Sequence, residues 1–278
     1  MQESTMGLIA RTGYAARGIV YLLIGGLAVL SVVGYGGKTA DSKGALSTLT
    51  DEPWGFAMLI AIGLGLFCYS LWRAVQALLD ADDHGLDAKG ITIRGSLLVS
   101  AVTHTLLGIY AISLPFSLRS SNGSDGGSED AAAMILQQPF GRYLLGVVAV
   151  AILGAGCAHI WKGLSGKFKK RLAMSDQLMA VLGPVCAFGL ASRGVVFLIV
   201  GSFFLYAAYT INPDQAGGAA AALDWLRSQD YGSVLLLVIA IGLFAFGSYS
   251  IIEAIWRTLD TSEVDRRAAQ LSRGEKPA

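Results

Sequence analysis

Gly13, Ala15, Arg17, Gly18, Val20, Leu22 and Gly25 recur 176 residues later as Gly189, Ala191, Arg193, Gly194, Val196, Leu198 and Gly201. Each set opens an apolar run of bilayer-crossing length and places an arginine within its first turns. Self-similarity at a fixed period requires copies of one structural unit that meet their neighbours through corresponding faces. The runs do not alternate between apolar and polar residues: Val234 to Gly247 reads VLLLVIAIGLFAFG. They therefore predict helices and not the strands of a membrane barrel.

Charged residues make up only 15% of the 278 and hydrophobic ones 54%. Soluble domains carry about 25% charged residues, so the composition is that of a membrane protein. A bilayer core takes about 20 apolar residues of helix, and stretches 14–34, 55–79, 94–115, 141–163, 187–210 and 232–258 qualify. The first is too long for a signal-peptide core and has a counterpart at 187–210, which marks it as retained. Placing the N-terminus, 80–93, 164–186 and the C-terminal tail on one side, with the adjoining helix ends, puts 16 of the 21 Lys and Arg there. Lys38, Lys43, Arg119, Arg142 and Arg227 remain on the other. The positive-inside rule then predicts both termini in the cytoplasm. Cys68, Cys157 and Cys186 avoid the external loops, so no disulfide framework is implied.

Ala45, Leu46, Leu49 and Gly55 return as Ala222, Leu223, Leu226 and Gly232, at an offset of 177. Pro53-Trp54-Gly55 and Asp230-Tyr231-Gly232 have a third counterpart in Pro139-Phe140-Gly141. Each unit thus reads helix, external loop with a short apolar segment, helix. The expected divisions are hairpins 10–85, 90–172 and 185–260 and a cytoplasmic tail 261–278. The middle copy is diverged: an offset of 83 sets Ser100-Ala101 opposite Arg17-Gly18, and His104 opposite Tyr21 and Phe197. Three hairpins entering from one side are parallel repeats, expected around a pseudo-threefold axis along the membrane normal. The predicted fold is an all-α integral membrane protein of six transmembrane helices in three hairpins.

The A-x-R-G-x-V-aromatic-L openings (Ala15 to Leu22, Ala191 to Leu198), the A-L-x-x-L segments, the Pro-aromatic-Gly turns and Leu66 to Ala74 (LFCYSLWRA) together resemble a bacterial membrane family. That family is known as domain of unknown function 1206, with three two-helix repeats per chain, and the resemblance covers about 10–260. It implies a six-helix bacterial membrane protein and brings no activity with it. The middle copy lacks the Arg-Gly pair, so a role for that arginine need not be threefold.

Arg17, Arg193, Glu253 and His104 are the candidate intramembrane polar site. A charge at the bilayer centre costs at least ~2.5–3.5 kcal/mol, so it faces a partner or water. Two readings fit the arginines: interfacial anchoring with a structural ion pair, and a cation site on a vestibule that binds an anion. An Arg193–Glu253 pair would favour the first. His104 and His159 differ in depth by about eight residues, ~12 Å at 1.5 Å per residue, which speaks against a shared haem. No cofactor, metal site or catalytic set is therefore expected. The loop from Asp80 to Asp87 imitates the start of a calcium loop, but Ile91 falls where a bidentate Glu is needed. Lys167, Lys169, Lys170 and Arg171 form a juxtamembrane cluster suited to anionic lipid, without nucleic acid.

There is no phosphate loop, no HExxH and no Ser-His-Asp set at a common depth, so an enzyme is unsupported. Two functions fit. One is permeation of a small solute or ion along the threefold axis. The other is a non-catalytic scaffold or assembly subunit packed against lipid or another membrane protein. A polar axis reached by Arg17 or Arg193 favours the first, a dry one the second.

Overall fold

The computed structural model describes residues 4–35, 39–82, 84–116 and 127–259; the expected tail 261–278 lies outside them. In chain order the helices are α1 (Thr5–Val33), α2 (Ser42–Ser47), α3 (Gly55–Leu78), α4 (Ala88–Ser113), α5 (Gly127–Leu136), α6 (Gly141–Leu164), α7 (Asp176–Thr210), α8 (Ala219–Arg227) and α9 (Gly232–Trp256). Among the described residues α1, α3, α4, α6, α7 and α9 are long and apolar enough to cross a membrane. The short α2, α5 and α8 lie one in each connection between the two long helices of a hairpin. They mark the loop end of the bundle. The opposite end, with residues 80–87 and 165–175, is the basic end.

Local signals set the helix ends. Ser4 caps α1 by accepting the Gly7 N–H, and Ser175 caps α7 by accepting that of Leu178. These caps start α1 at Thr5 and α7 at Asp176, well before the predicted 14 and 187, because a capped polar turn extends a helix past its apolar stretch. Helices α3, α6 and α9 each begin at a glycine behind Trp54, Phe140 or Tyr231. A Cβ at Gly55, Gly141 or Gly232 would run into the carbonyl oxygen of Leu49, Ile135 or Arg227. The same close approach thus appears three times and only glycine fits it, although Phe140 and Tyr231 are left-handed, at φ 62° and 58°, and Trp54 is not, at φ −97°.

The six long helices follow a ring in the order α1, α3, α4, α6, α7, α9. Five of the six neighbour contacts are made: α1 with α3, α3 with α4, α6 with α7, α7 with α9, and α9 with α1. Helices α4 and α6, the two of the middle repeat, do not pack on each other. The three helix pairs follow one another around this ring, which is open within the middle hairpin.

Interfaces between repeats are built alike. A Cβ on Gly18 would meet Ile251 and Gly247, and one on Gly194 would meet Ile160 and Gly156. At the third, Ser70 Oγ donates to the Ala101 carbonyl at 2.5 Å. Gly25 meets Ala240 and Phe244, Gly108 meets Gly63 and Phe67, and Gly201 meets Leu153. Second helices therefore correspond at offsets of 177 and 86 along their whole length. Lipid tails are as apolar as leucine, so such close backbone approach, more than hydrophobic driving force, holds membrane helices together.

Toward the loop end the axis is filled. Val20, Ile24, Leu59, Ile62, Leu66, Val196, Leu236 and Leu243 form one buried cluster with Leu46 and Leu49 from the first connection and Leu223 and Leu226 from α8. The short helices close this cluster from outside, and Thr39 bonds Asp224 across two connections.

Candidate functional site

Below the apolar core, toward the basic end, aromatic rings pair across the repeat interfaces. Tyr21 meets Phe246 with centroids 4.8 Å apart, His104 meets Tyr69 at 4.6 Å, and Phe197 meets His159 at 5.4 Å. Arg17 lies beneath this layer, only 3% exposed. Its Nη1 donates to the Tyr69 hydroxyl at 2.5 Å, and its Nε and Nη2 donate to Ser250 Oγ at 3.1 and 2.9 Å. Nη2 also reaches Glu253 Oε2 at 2.7 Å. Four donated bonds and three flanking rings, Tyr14, Tyr69 and Phe246, satisfy the guanidinium.

Glu253 is shared. Its other oxygen accepts from Arg257 Nη1 at 2.6 Å. The expected Arg193–Glu253 pair is not formed: Arg17, from the neighbouring repeat, takes the carboxylate instead. The reason is the repeat interface, where α1 packs directly on α9 with Gly18 against Gly247.

Arg193, the counterpart of Arg17, has no hydrogen-bond or ion-pair partner among the described residues, and its Nε is shut off from solvent. The guanidinium instead lies 4.5–4.9 Å from the ring centres of Tyr21, Phe197 and Phe246. The faces of three rings supply attraction for a cation but no acceptor. Lys162 stands nearby on α6, donating to the Tyr249 hydroxyl at 3.0 Å. Arg73 donates to the Tyr69 hydroxyl through Nε at 2.7 Å and to Gln76 at 2.9 Å. Arg17 and Arg257 share the one carboxylate of Glu253, whereas Arg73 and Lys162 bond only neutral groups among the described residues. The enclosed charge is therefore strongly positive.

His104 and His159 each bond the carbonyl four residues earlier through Nδ1, at 2.8 Å to Ser100 and to Ala155. A carbonyl only accepts, so Nδ1 carries the hydrogen in both. His104 packs on Tyr69, and His159 on Phe197 and on Phe246, the repeat counterpart of Tyr69.

At the basic end Asp82 ties three segments together, meeting Arg171 at 2.8 Å, Arg257 at 3.5 Å and Gln76 Nε2 at 2.6 Å. Asp80 accepts backbone N–H bonds from His84 and Gly85, which hold its carboxyl below the usual range. The acidic loop thus spends these carboxylates on its own turn and on arginines. Of the basic cluster, Lys167, Lys169 and Lys170 are exposed, whereas Arg171 turns inward to Asp82. We expect Asp82→Ala to cost about 1 kcal/mol or less, as partly exposed pairs do, readable as a small fall in the detergent-solubilised unfolding midpoint.

Around the opening, α4 offers Gly95, Ser96, Ser100 and Thr103, and α6 offers Ala151, Ala155 and Ala158. These positions correspond to those by which α1 and α3 touch, where Gly13 meets Tyr69 and Ala16 meets Gly65. On the outer side of α6 and α7 lies a separate apolar groove of about 880 Å³, with Arg142, Tyr143, Tyr206 and Tyr209 along it. Tyr69, Arg73, Lys162, Ser250 and Arg257 belong to the site although the arginine repeat alone did not indicate them. Extending the Gly55–Gly141–Gly232 correspondence down the second helices aligns Arg73 with His159 and Ser250, and Gln76 with Lys162 and Glu253.

Comparison with known proteins agrees with this threefold construction. Residues 12–80, 95–166 and 188–257 each match the family described as Domain of Unknown Function (DUF1206). The chain is 32% identical over 251 residues to Uncharacterized protein YxxB of Bacillus subtilis (strain 168), covering 89% of this chain and 90% of that protein. No solved structure matches significantly. The chain belongs to the DUF1206 family, with one family unit for each of its three hairpins.

Proposed function

We propose that the protein is a membrane-embedded anion-binding protein, a carrier-type site in the basic half of the bundle and not an open axial channel. One observation carries this reading: Arg193 sits among three aromatic rings without an acceptor, while its repeat counterpart Arg17 is fully paired. An unpaired guanidinium at such depth costs several kcal/mol, and an incoming anion removes that cost. The apolar cluster at the loop end argues against a continuous axial path. The gap between α4 and α6 is the natural entrance, with small residues on both sides.

The charge asymmetry supports a bacterial inner-membrane location with the basic end in the cytoplasm. Exposed Lys167, Lys169 and Lys170 would then rest on anionic headgroups. A reporter phosphatase active only outside the cytoplasm should be inactive when fused after Ala278; activity there would reverse the orientation.

In nanodiscs of zwitterionic lipid at low ionic strength, added sodium phosphate or phosphatidylglycerol in the disc should raise the unfolding midpoint. Binding at about 100 times Kd contributes about 2.7 kcal/mol. Arg193→Gln should abolish the rise. Failure of the wild type to respond to either anion would refute the reading. The groove on α6 and α7 supports the alternative, a scaffold holding another membrane protein, which predicts a co-purifying partner and no anion response.

A further inference from the structure

Resting on the anion-binding reading, we infer that the anion sits between Arg193 and Lys162, in the place Glu253 holds against Arg17, and that it is an oxyanion, carboxylate or phosphate. The three interfaces between repeats are copies of one another. Gly18 lies on Gly247 and Ile251, and Gly194 lies on Gly156 and Ile160. In the first, Arg17 and Glu253 face each other toward the basic end at 2.7 Å. The same displacement in the second brings Arg193 and Lys162 together. In the third it brings Ser100 and Gln76.

One interface is thus cation with carboxylate, one is neutral, and one sets cation against cation. Two cations cannot satisfy each other, so the second pair is splayed. Arg193 turns onto the Tyr21, Phe197 and Phe246 rings, and Lys162 turns to the Tyr249 hydroxyl. His159 packs on Phe197 and Phe246, two of the three rings around Arg193. Glu253 displays the group this interface geometry accommodates, two oxygens shared between two cationic side chains. An oxyanion from outside repeats that arrangement: the planar guanidinium takes paired oxygens and the ammonium a single one. Helix α6, which carries Lys162, borders the open side of the ring, so a lipid headgroup and a free phosphate both have access.

Lys162→Glu provides the test, because it restores within the chain the carboxylate that the second interface lacks. In anion-free nanodiscs its unfolding midpoint should rise above that of the wild type, and its responses to sodium phosphate and to phosphatidylglycerol should both vanish. Adding Arg193→Gln should remove the baseline rise. Within the wild type, a phosphate response in zwitterionic discs assigns a free anion. A response to phosphatidylglycerol alone assigns a headgroup. Lys162→Gln, which keeps the length and adds no charge, should weaken phosphate affinity about tenfold, the loss of one charge-assisted hydrogen bond. Retention of wild-type affinity in Lys162→Gln and Lys162→Glu would overturn this placement while leaving the anion-binding reading standing. Absence of any wild-type response would overturn both.

Discussion

Glu253→Ala should destabilise the bundle by about 3–5 kcal/mol, the usual cost of stripping a buried ion pair of one partner. The side chain is 2% exposed and lies between Arg17 at 2.7 Å and Arg257 at 2.6 Å. Without it Arg17 retains only neutral acceptors, the Tyr69 and Ser250 hydroxyls, and Arg257 loses its i, i+4 carboxylate. Glu253→Gln preserves shape and one acceptor but leaves the same uncompensated charge, so it should recover only part of the loss. Thermal unfolding of detergent-solubilised protein measures both variants. Midpoints within experimental error of the wild type would mean that the charges reach water and that no enclosed cationic site exists. Added anion should partly rescue Glu253→Ala, since Arg17 and Arg257 then lack the carboxylate they share.

The contrast between Glu253 and Lys162 also explains what could be read from the chain alone. Fold class was legible because bilayer length and glycine spacing are local properties. Gly18, Gly25, Gly194 and Gly201 mark backbone crossings, and their repetition reports a repeated geometry directly. Charge partners are another matter. Arg193 and Glu253 lie in one repeat, yet α1 packs between α3 and α9 and brings Arg17 to the carboxylate. Lys162, in the last turn of α6, carries no local mark that sets it apart from other basic residues at helix ends. Its meaning depends on its correspondence with Glu253, which needed the second-helix register through to the basic end. The opening between α4 and α6 was hidden for the opposite reason. Gly95, Ser96, Ala151 and Ala155 are residues that permit close packing, and no local feature of theirs holds the two helices apart. The middle copy announced its divergence through Ser100 and His104, but not that its own hairpin would be the one left open.

Gly25→Leu and Gly26→Leu should have opposite outcomes although the two residues are adjacent. A Cβ at Gly25 would lie 2.8 Å from the Ala240 carbonyl oxygen and closer still to the Phe244 nitrogen on α9. Those are backbone atoms and cannot rotate aside, so α1 and α9 must separate along the interface that also holds Arg17 against Glu253. The cost should exceed about 3 kcal/mol, the upper range for overpacking, and the variant should accumulate poorly. Nothing lies within 4 Å of a Cβ at Gly26. There leucine removes a helix-interior glycine and should stabilise by about 0.5–1 kcal/mol. The counterparts of Gly25 give a graded series. At Gly201 the first obstacle is the Leu153 side chain at 2.8 Å, which can move, and at Gly108 it is the Gly63 carbonyl at 3.1 Å. Leucine at Gly201 or Gly108 should therefore cost less than at Gly25, with the order read from expression level and unfolding midpoint. Stabilisation at Gly201 or Gly108, as at Gly26, would show that these positions are not helix crossings like Gly25, and the correspondence linking Lys162 to Glu253 would fall with them.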